Sequence, residues 1–265
     1  MIDDNDKILI NIIHNQRGLW RKGDICFFDY MTQQPIKGCF NIGFVRDLPH
    51  IQLQDGKFPP EQITAMFNKH KAMVIRLDAI ITMTDTFAKH ILSAYNIKKP
   101  YRLFQNYPSW QETPLIKKDE FLYIGAKPIK FQEHEKWLNE LSIKTNKPVI
   151  WRYYDKLKPG VRGHISNYDY SSKYGLSTNV VDFNQAHEAL NRKIMVYLMS
   201  GMYPVMHKSF TEAIKFVRAG GIEPFIYDTI DDIIVGLNTH NFGIIDRKRW
   251  CIESRLTDLK SMLRR

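Results

Sequence analysis

Short apolar runs alternate with amphipathic stretches along most of the chain. Lys7–Ile13 (KILINII) reads as a buried strand, and Ala79–Met83 (AIITM) as another. Phe121–Gly125, Pro148–Tyr153, Pro204–Met206 and Pro224–Tyr227 have the same short apolar character. Helical patterns separate them. Pro59-Pro60-Glu61 opens a helix running through Lys71, proline being well tolerated in a first helical turn. Thr84 or Asp85 caps a helix over Thr86–Tyr95, and Phe131–Leu141 carries Trp137 and Leu138 on one side. Leu190–Ser200 is helical and closes on Gly201. Thr211–Ala219 stops at Gly220-Gly221, and Asp228 introduces Thr229–Leu237. The stretch from Gly18 to Pro60, punctuated by glycine and proline, reads as irregular.

Such alternation predicts an α/β protein built on doubly wound parallel sheets. The charged, proline-containing segment Ser109–Glu120 breaks the pattern in two. The expected organisation is a first Rossmann-like domain over 1–110, a linker over 111–120, a second domain over 121–245 and a C-terminal helix over 246–265 packing back on the first. The two sheets are expected to face each other.

Composition narrows the class. The chain has 265 residues, 44% hydrophobic and 25% charged, a balance suited to a soluble globular protein. It has no apolar run near the roughly 20 residues of a membrane-spanning helix. The acidic start, with Asp3, Asp4 and Asp6, lacks the order of a signal peptide. These features predict a cytoplasmic protein, peripheral to a membrane at most, and in host cytoplasm if the source is viral. Cys26, Cys39 and Cys251 are too scattered for a zinc or disulfide framework and are expected as thiols. The net charge of +10 is spread over both halves and favours polyanionic partners: duplex DNA, an anionic lipid surface or nucleotide phosphates. The basic aromatic stretch Lys147–Arg162 fits the same partners.

The candidate chemistry centres on Asn191–Met206. A lysine in the first turn of a helix joins a fixed cation to free backbone N–H groups, a combination suited to pyrophosphate. Lys193 stands there and is expected to be exposed in a cleft, with Met195, Leu198 and Met199 facing the sheet. His14 and Asp85 lie at predicted strand ends, where α/β sheets bind ligands. Asp24 and Asp29 sit in the irregular stretch.

The stretch LNRKIMVYLMSGMYPV, Leu190–Val205, resembles the donor-domain signature of GT-B glycosyltransferases, in which a lysine precedes a tyrosine, a small residue, a glycine and a proline-valine strand. Phe104–Pro108 is similar to the link between that family's domains, and Tyr123-Ile124-Gly125 to the opening of its donor domain. Lys173–Leu176 resembles the loop before the signature helix, and Gly220-Gly221 and Ile230-Asp231-Asp232 its later elements. The resemblance spans about residues 75 to 240. It implies transfer of a sugar from a nucleotide-diphosphate sugar, a UDP-sugar first among them, with no bound cofactor and no metal. It implies donor contacts from Gly125, Lys127, Lys130, Arg152, Lys193 and Tyr197, with Glu188 orienting the sugar and His14 or Asp85 as base. Where many members carry a second glutamate eight positions after the first, Val196 stands, and Ala126 replaces an arginine common in the family. The first half is short for an acceptor domain. The expected acceptor is a glycan or lipid-linked saccharide. The alternatives are hydroxymethylcytosine in duplex DNA, as in virus-encoded relatives, and a non-catalytic nucleotide- or nucleic-acid-binding module.

Overall fold

The computed structural model describes residues 25–28, 37–38, 40–45, 59–105, 107–126, 131–154, 170–178 and 192–264. The strand expected at Lys7–Ile13 lies outside them, as do His14, Asp24, Asp29, Lys127, Lys130 and Glu188. The chain forms two compact units. One holds the described residues up to Ser109 and those from Ile252 onward; the other holds those from Trp110 to Cys251.

The first unit is built on a parallel sheet of β1 (Ile25–Phe28), β2 (Phe40–Phe44), β3 (Ala79–Thr82) and β4 (Tyr101–Leu103), paired in that order. Helices α1 (Pro60–Arg76) and α2 (Asp85–Tyr95) precede and follow β3. All four residues of β3 are buried, as expected of a parallel strand covered on both faces. Val45, Val74, Leu77, Ile80, Phe87, Ile91 and Tyr95 form the core beneath it. Gly43 is required there, because a Cβ would meet Leu77 Cδ1 at 2.3 Å. The Thr84 hydroxyl caps α2 by accepting from the Phe87 N–H at 3.1 Å. The strands β1 and β2 correct the irregular reading of Gly18–Pro60. They are short and broken by turn residues, and parallel pairing with β3 sets their conformation. The unit also contains α7, the C-terminal helix Leu256–Arg264, whose Leu256 and Leu259 are buried. The segment leading to it is tied in by the Ile252 N–H, which donates to the Pro108 carbonyl at 2.9 Å.

The second unit is built on β5 (Lys118–Ala126), β6 (Val149–Tyr154), β7 (Ser172–Ser177), β8 (Tyr203–His207) and β9 (Phe225–Tyr227). They form one parallel sheet in the order β6-β5-β7-β8-β9. Its helices are α3 (Phe131–Thr145), α4 (Arg192–Met199), α5 (Thr211–Ala219) and α6 (Ile230–Gly236). The segment Lys173–Leu176, expected as a loop, is the core of the central strand β7. Its sequence, SKYGLS, has no apolar run, and its neighbours on both sides impose the extended form. Cys251 is a buried thiol whose S–H donates to the Lys248 carbonyl at 3.0 Å.

Candidate functional site

The order of the second sheet places its switch point between β5 and β7. From β5 the chain runs to β6 on one side and then crosses to β7 on the other. Ligands of open α/β sheets bind outside the carboxyl ends of the strands at such a point. Here the two strands separate. Their pairing runs to Leu122 opposite Gly175, and beyond it the Tyr197 hydroxyl stands between them. That hydroxyl accepts from the Ile124 N–H at 3.0 Å and donates to the Leu176 carbonyl at 3.2 Å. One side chain of α4 thus satisfies backbone groups on both strands just before Gly125. Gly175 makes room for it, since a Cβ there would meet the Tyr197 ring at 2.3 Å. Tyr197 is fully buried and acts as a brace holding the opening.

Lys193, one turn earlier on α4, lies on the same helical face as Tyr197. It was expected to be exposed, and the structure corrects this: the residue is only 8% exposed. Every residue from Lys193 to Ser200 is buried, so α4 has no solvated face on which a lysine could lie. The Lys193 ammonium sits 4.7 Å from the centre of the Tyr123 ring, a cation–π contact from β5. Burial lowers its pKa from 10.5 to about 8. It also sits at the positive end of the helix dipole, where a cation is disfavoured and an anion favoured.

The opposite end of α4 is fully capped. The Gly201 N–H donates to the Leu198 carbonyl and the Met202 N–H to the Tyr197 carbonyl, with Gly201 at φ 74°, the pattern of a Schellman close. The Arg247 guanidinium donates to the Met199 carbonyl at 3.0 Å and to the Thr113 hydroxyl at 2.6 Å. The Lys117 ammonium and the Thr113 hydroxyl both donate to the Ser200 carbonyl, at 2.6 and 3.2 Å.

Around Lys193, the carboxyl edge of the sheet gathers His134, Thr178, Ser177 and Tyr227. His134, in the first turn of α3, is fully buried with its ring edge-on to Tyr123 at 4.6 Å. Its Nε2 lies 2.9 Å from the Thr178 hydroxyl. Burial, followed by the charge of Lys193, lowers the His134 pKa to about 4, so the ring is neutral near pH 7. The Tyr227 hydroxyl donates to the Ser177 carbonyl at 2.9 Å, and Trp137 stacks on the Tyr227 ring. The Ser177 hydroxyl is buried with no hydrogen-bond partner among the described residues. At the next strand ends, His207 faces Asp228 at 3.5 Å, and Lys208 bonds the same carboxylate at 2.6 Å.

The structure therefore brings together Lys193, Tyr197 and the backbone leading to Gly125. The backbone of Arg152 lies on β6 opposite Ile124, and nothing is described of its side chain. Asp85 belongs to the first unit, in the first turn of α2. Its carboxylate accepts from the Tyr101 hydroxyl and pairs with Lys89 at 2.5 Å. The hydrogen bond from Lys89, then that from Tyr101, holds its pKa below the usual carboxylate value, which makes it a weak base. The sequence singles out neither His134 nor Thr178, and Tyr123 only within the Tyr123-Ile124-Gly125 resemblance; the structure places all three around Lys193. The i, i+4 spacing of Lys193 and a core tyrosine was the one sequence signal that Lys193 is buried. Among the described residues, no group of three or more His, Cys, Asp or Glu side chains could hold a metal ion.

No protein-family model matches the chain, and no curated protein sequence matches it. Solved structures do. The structure of TarM superposes with a TM-score of 0.55 at 10% identity, over 90% of this chain and 54% of TarM, so the chain spans about half of TarM's length. A sucrose-phosphate synthase from Thermosynechococcus elongatus gives a TM-score of 0.50 at 9% identity, over 85% of this chain and 67% of the synthase. At such identities the likeness is one of fold. With its two parallel sheets and these neighbours, the chain has the α/β fold of the GT-B glycosyltransferases.

Proposed function

We propose that this protein transfers a sugar from a nucleoside-diphosphate sugar, with a UDP-sugar as the first donor to test, to an acceptor hydroxyl. The observation that carries the reading is the buried ammonium of Lys193 at the first turn of α4, beside the switch point of the second sheet. A cation placed where both desolvation and the helix dipole oppose it is compensated when a dianionic diphosphate binds. In the reaction, the bond from the anomeric carbon to the diphosphate oxygen breaks. Its electron pair stays on the leaving diphosphate, where Lys193 and the α4 N–H groups stabilise the charge. The acceptor oxygen forms the new bond and loses its proton to a base or to the leaving phosphate.

Lys127, Lys130 and Arg152 are proposed as further phosphate contacts, Gly125 as a point of close backbone approach, and Glu188 as a ligand to sugar hydroxyls. Tyr197 serves the donor by holding β5 and β7 apart. His14 and Asp85 remain the residues to test as base; the hydrogen bonds around Asp85 weigh against it. The acceptor is proposed to be a glycan or lipid-linked saccharide, met in the cytoplasm at a membrane surface. The charge of +10 supports an anionic acceptor or surface, and duplex DNA is the second reading on the same ground. Calorimetric titration with UDP and a panel of UDP-sugars tests the donor. Binding by the native protein and a loss of at least about a hundredfold in Lys193→Met support it. Absence of nucleotide binding by the native protein refutes it. Retention on duplex DNA that falls steeply between low and moderate salt would move the acceptor to DNA.

A further inference from the structure

The ring of Tyr123 is touched by helices from both faces of the second sheet. Side chains alternate along β5. Leu122 and Ile124 pack with Val196 and Tyr197 of α4, whereas Phe121 and Tyr123 pack with Leu138 and Leu141 of α3. Tyr123 therefore belongs to the α3 face. Lys193 starts from α4, on the other face, yet its ammonium ends 4.7 Å from the centre of the Tyr123 ring. It passes where β5 and β7 have separated, beyond the bridging hydroxyl of Tyr197. On the α3 face the same ring meets the edge of His134, with 4.6 Å between centres and 64° between planes. His134 is fully buried, and its Nε2 lies 2.9 Å from the hydroxyl of Thr178, itself buried just past the end of β7. Contacts thus run without a gap from β7 through α3 and β5 to the ammonium on α4. The titratable groups around that ammonium are the Tyr123 phenol and the His134 ring, with the Tyr227 phenol beyond Tyr123. The histidine is neutral near pH 7 and stands there without repelling the cation.

We propose that His134 is a positioning residue for Lys193: by holding the Tyr123 ring, it keeps the ammonium at the opening between β5 and β7, where the donor diphosphate meets it. A lysine stem is flexible, and the face of an aromatic ring attracts an ammonium without fixing its direction. The orientation of the Tyr123 ring therefore decides where the charge rests. His134 sets that orientation from the opposite face, and the bond to Thr178 keeps the imidazole from turning away. His134 acts through Tyr123 and not by contact with the donor. The placement of the ammonium stands on these contacts alone; its consequence for donor affinity rests on the donor reading proposed above.

Competitive labelling with a trace of acetic anhydride, read at the Lys193 peptide by mass spectrometry from about pH 7 to 11, follows the free amine of Lys193 in the full chain. Burial lowers the native pKa to about 8, so native labelling should reach half its maximum near that pH. In His134→Ala the ring and the ammonium are released towards water. The midpoint should rise by about one pH unit or more, and UDP affinity at pH 7 should fall by about tenfold or more. His134→Phe keeps a ring edge against Tyr123 and gives up the bond to Thr178. It should hold the midpoint within about half a pH unit of native and UDP affinity within about threefold. Thr178→Val should shift both in the direction of the alanine variant by less, and it takes that variant's place if His134→Ala does not fold. A purely structural role would lower the melting temperature of His134→Ala and leave the Lys193 midpoint where it is; that result overturns the inference, as does a phenylalanine variant that behaves like the alanine one. Native protein that binds no UDP overturns the donor reading instead, and the labelling midpoint still decides whether His134 positions the ammonium.

Discussion

The two ends of α4 both carry cations, for opposite physical reasons. At the carboxyl end, Arg247 and Lys117 donate to the last carbonyls, which bear the negative pole of the helix. These cations complete the fold. At the amino end, Lys193 is buried against the positive pole, with its pKa lowered to about 8 by desolvation. Under the donor reading proposed above, the charge of a bound diphosphate offsets the cost of placing a cation there. The contrast teaches that a lysine's location on a helix, together with its burial, decides whether its charge helps or opposes the fold.

The largest expected effect comes from removing the disfavoured cation. Lys193→Met should weaken UDP binding by at least about a hundredfold while raising thermal stability. The ammonium's pKa is 10.5 in the unfolded chain and about 8 in the folded one, so the unfolded state holds its proton more tightly. The cost to stability is therefore full below about pH 8 and is relieved as pH rises from there towards 10.5. At pH 7 it amounts to about 3 kcal/mol, an upper bound for the gain. A melting curve that falls in Lys193→Met would break the contrast between the two ends.

Next in size is the carboxyl end itself. Gly201→Val places a β-branched residue at φ 74°, with its Cβ 3.2 Å from Arg247 Cδ. It should cost on the order of 2 kcal/mol or more in chemical denaturation and reduce the folded yield. Arg247→Ala should cost about 1–2 kcal/mol, because the Met199 carbonyl and the Thr113 hydroxyl lose a donor while Lys117 still serves Ser200. Its UDP affinity should stay within about threefold of the native value, since this end of the helix does not meet the donor. A large loss of affinity there would show that the two ends are coupled.

An effect of the same size as that of Arg247→Ala is expected between the two ends. Tyr197→Phe removes the hydroxyl that bridges Ile124 and Leu176 and should cost about 1–2 kcal/mol. UDP affinity should drop only modestly, by less than Lys193→Met produces. An unchanged denaturation curve would refute the role given to this hydroxyl.

Much of this arrangement was legible in the sequence. Ala79–Thr82, Phe121–Gly125 and Pro204–Met206 are apolar runs that read as buried strands, and Gly201 marked the close of α4. The strands β1, β2, β4 and β7 were not legible. Ile25–Phe28 and Phe40–Phe44 lie among turn residues, and SKYGLS has a glycine where an apolar residue would have signalled a strand. Their extended form comes from neighbouring strands, and Gly175 is small because Tyr197 packs on it. The sequence puts Lys193 at the surface, and the structure buries it. Its burial depends on α4 being enclosed on all sides, which only tertiary packing decides. His134 and Thr178 are far apart in sequence and meet through the fold, so no spacing announced them.

The most direct test of the account is UDP affinity measured from pH 7 to 10 for the native protein and for Lys193→Met. The account predicts native affinity that is steady below about pH 8 and then falls, approaching tenfold per pH unit as the free ammonium loses its proton, while the methionine variant binds weakly with little pH dependence. Native affinity that stays level across pH 8, or a variant that binds as tightly as the native protein, would contradict it.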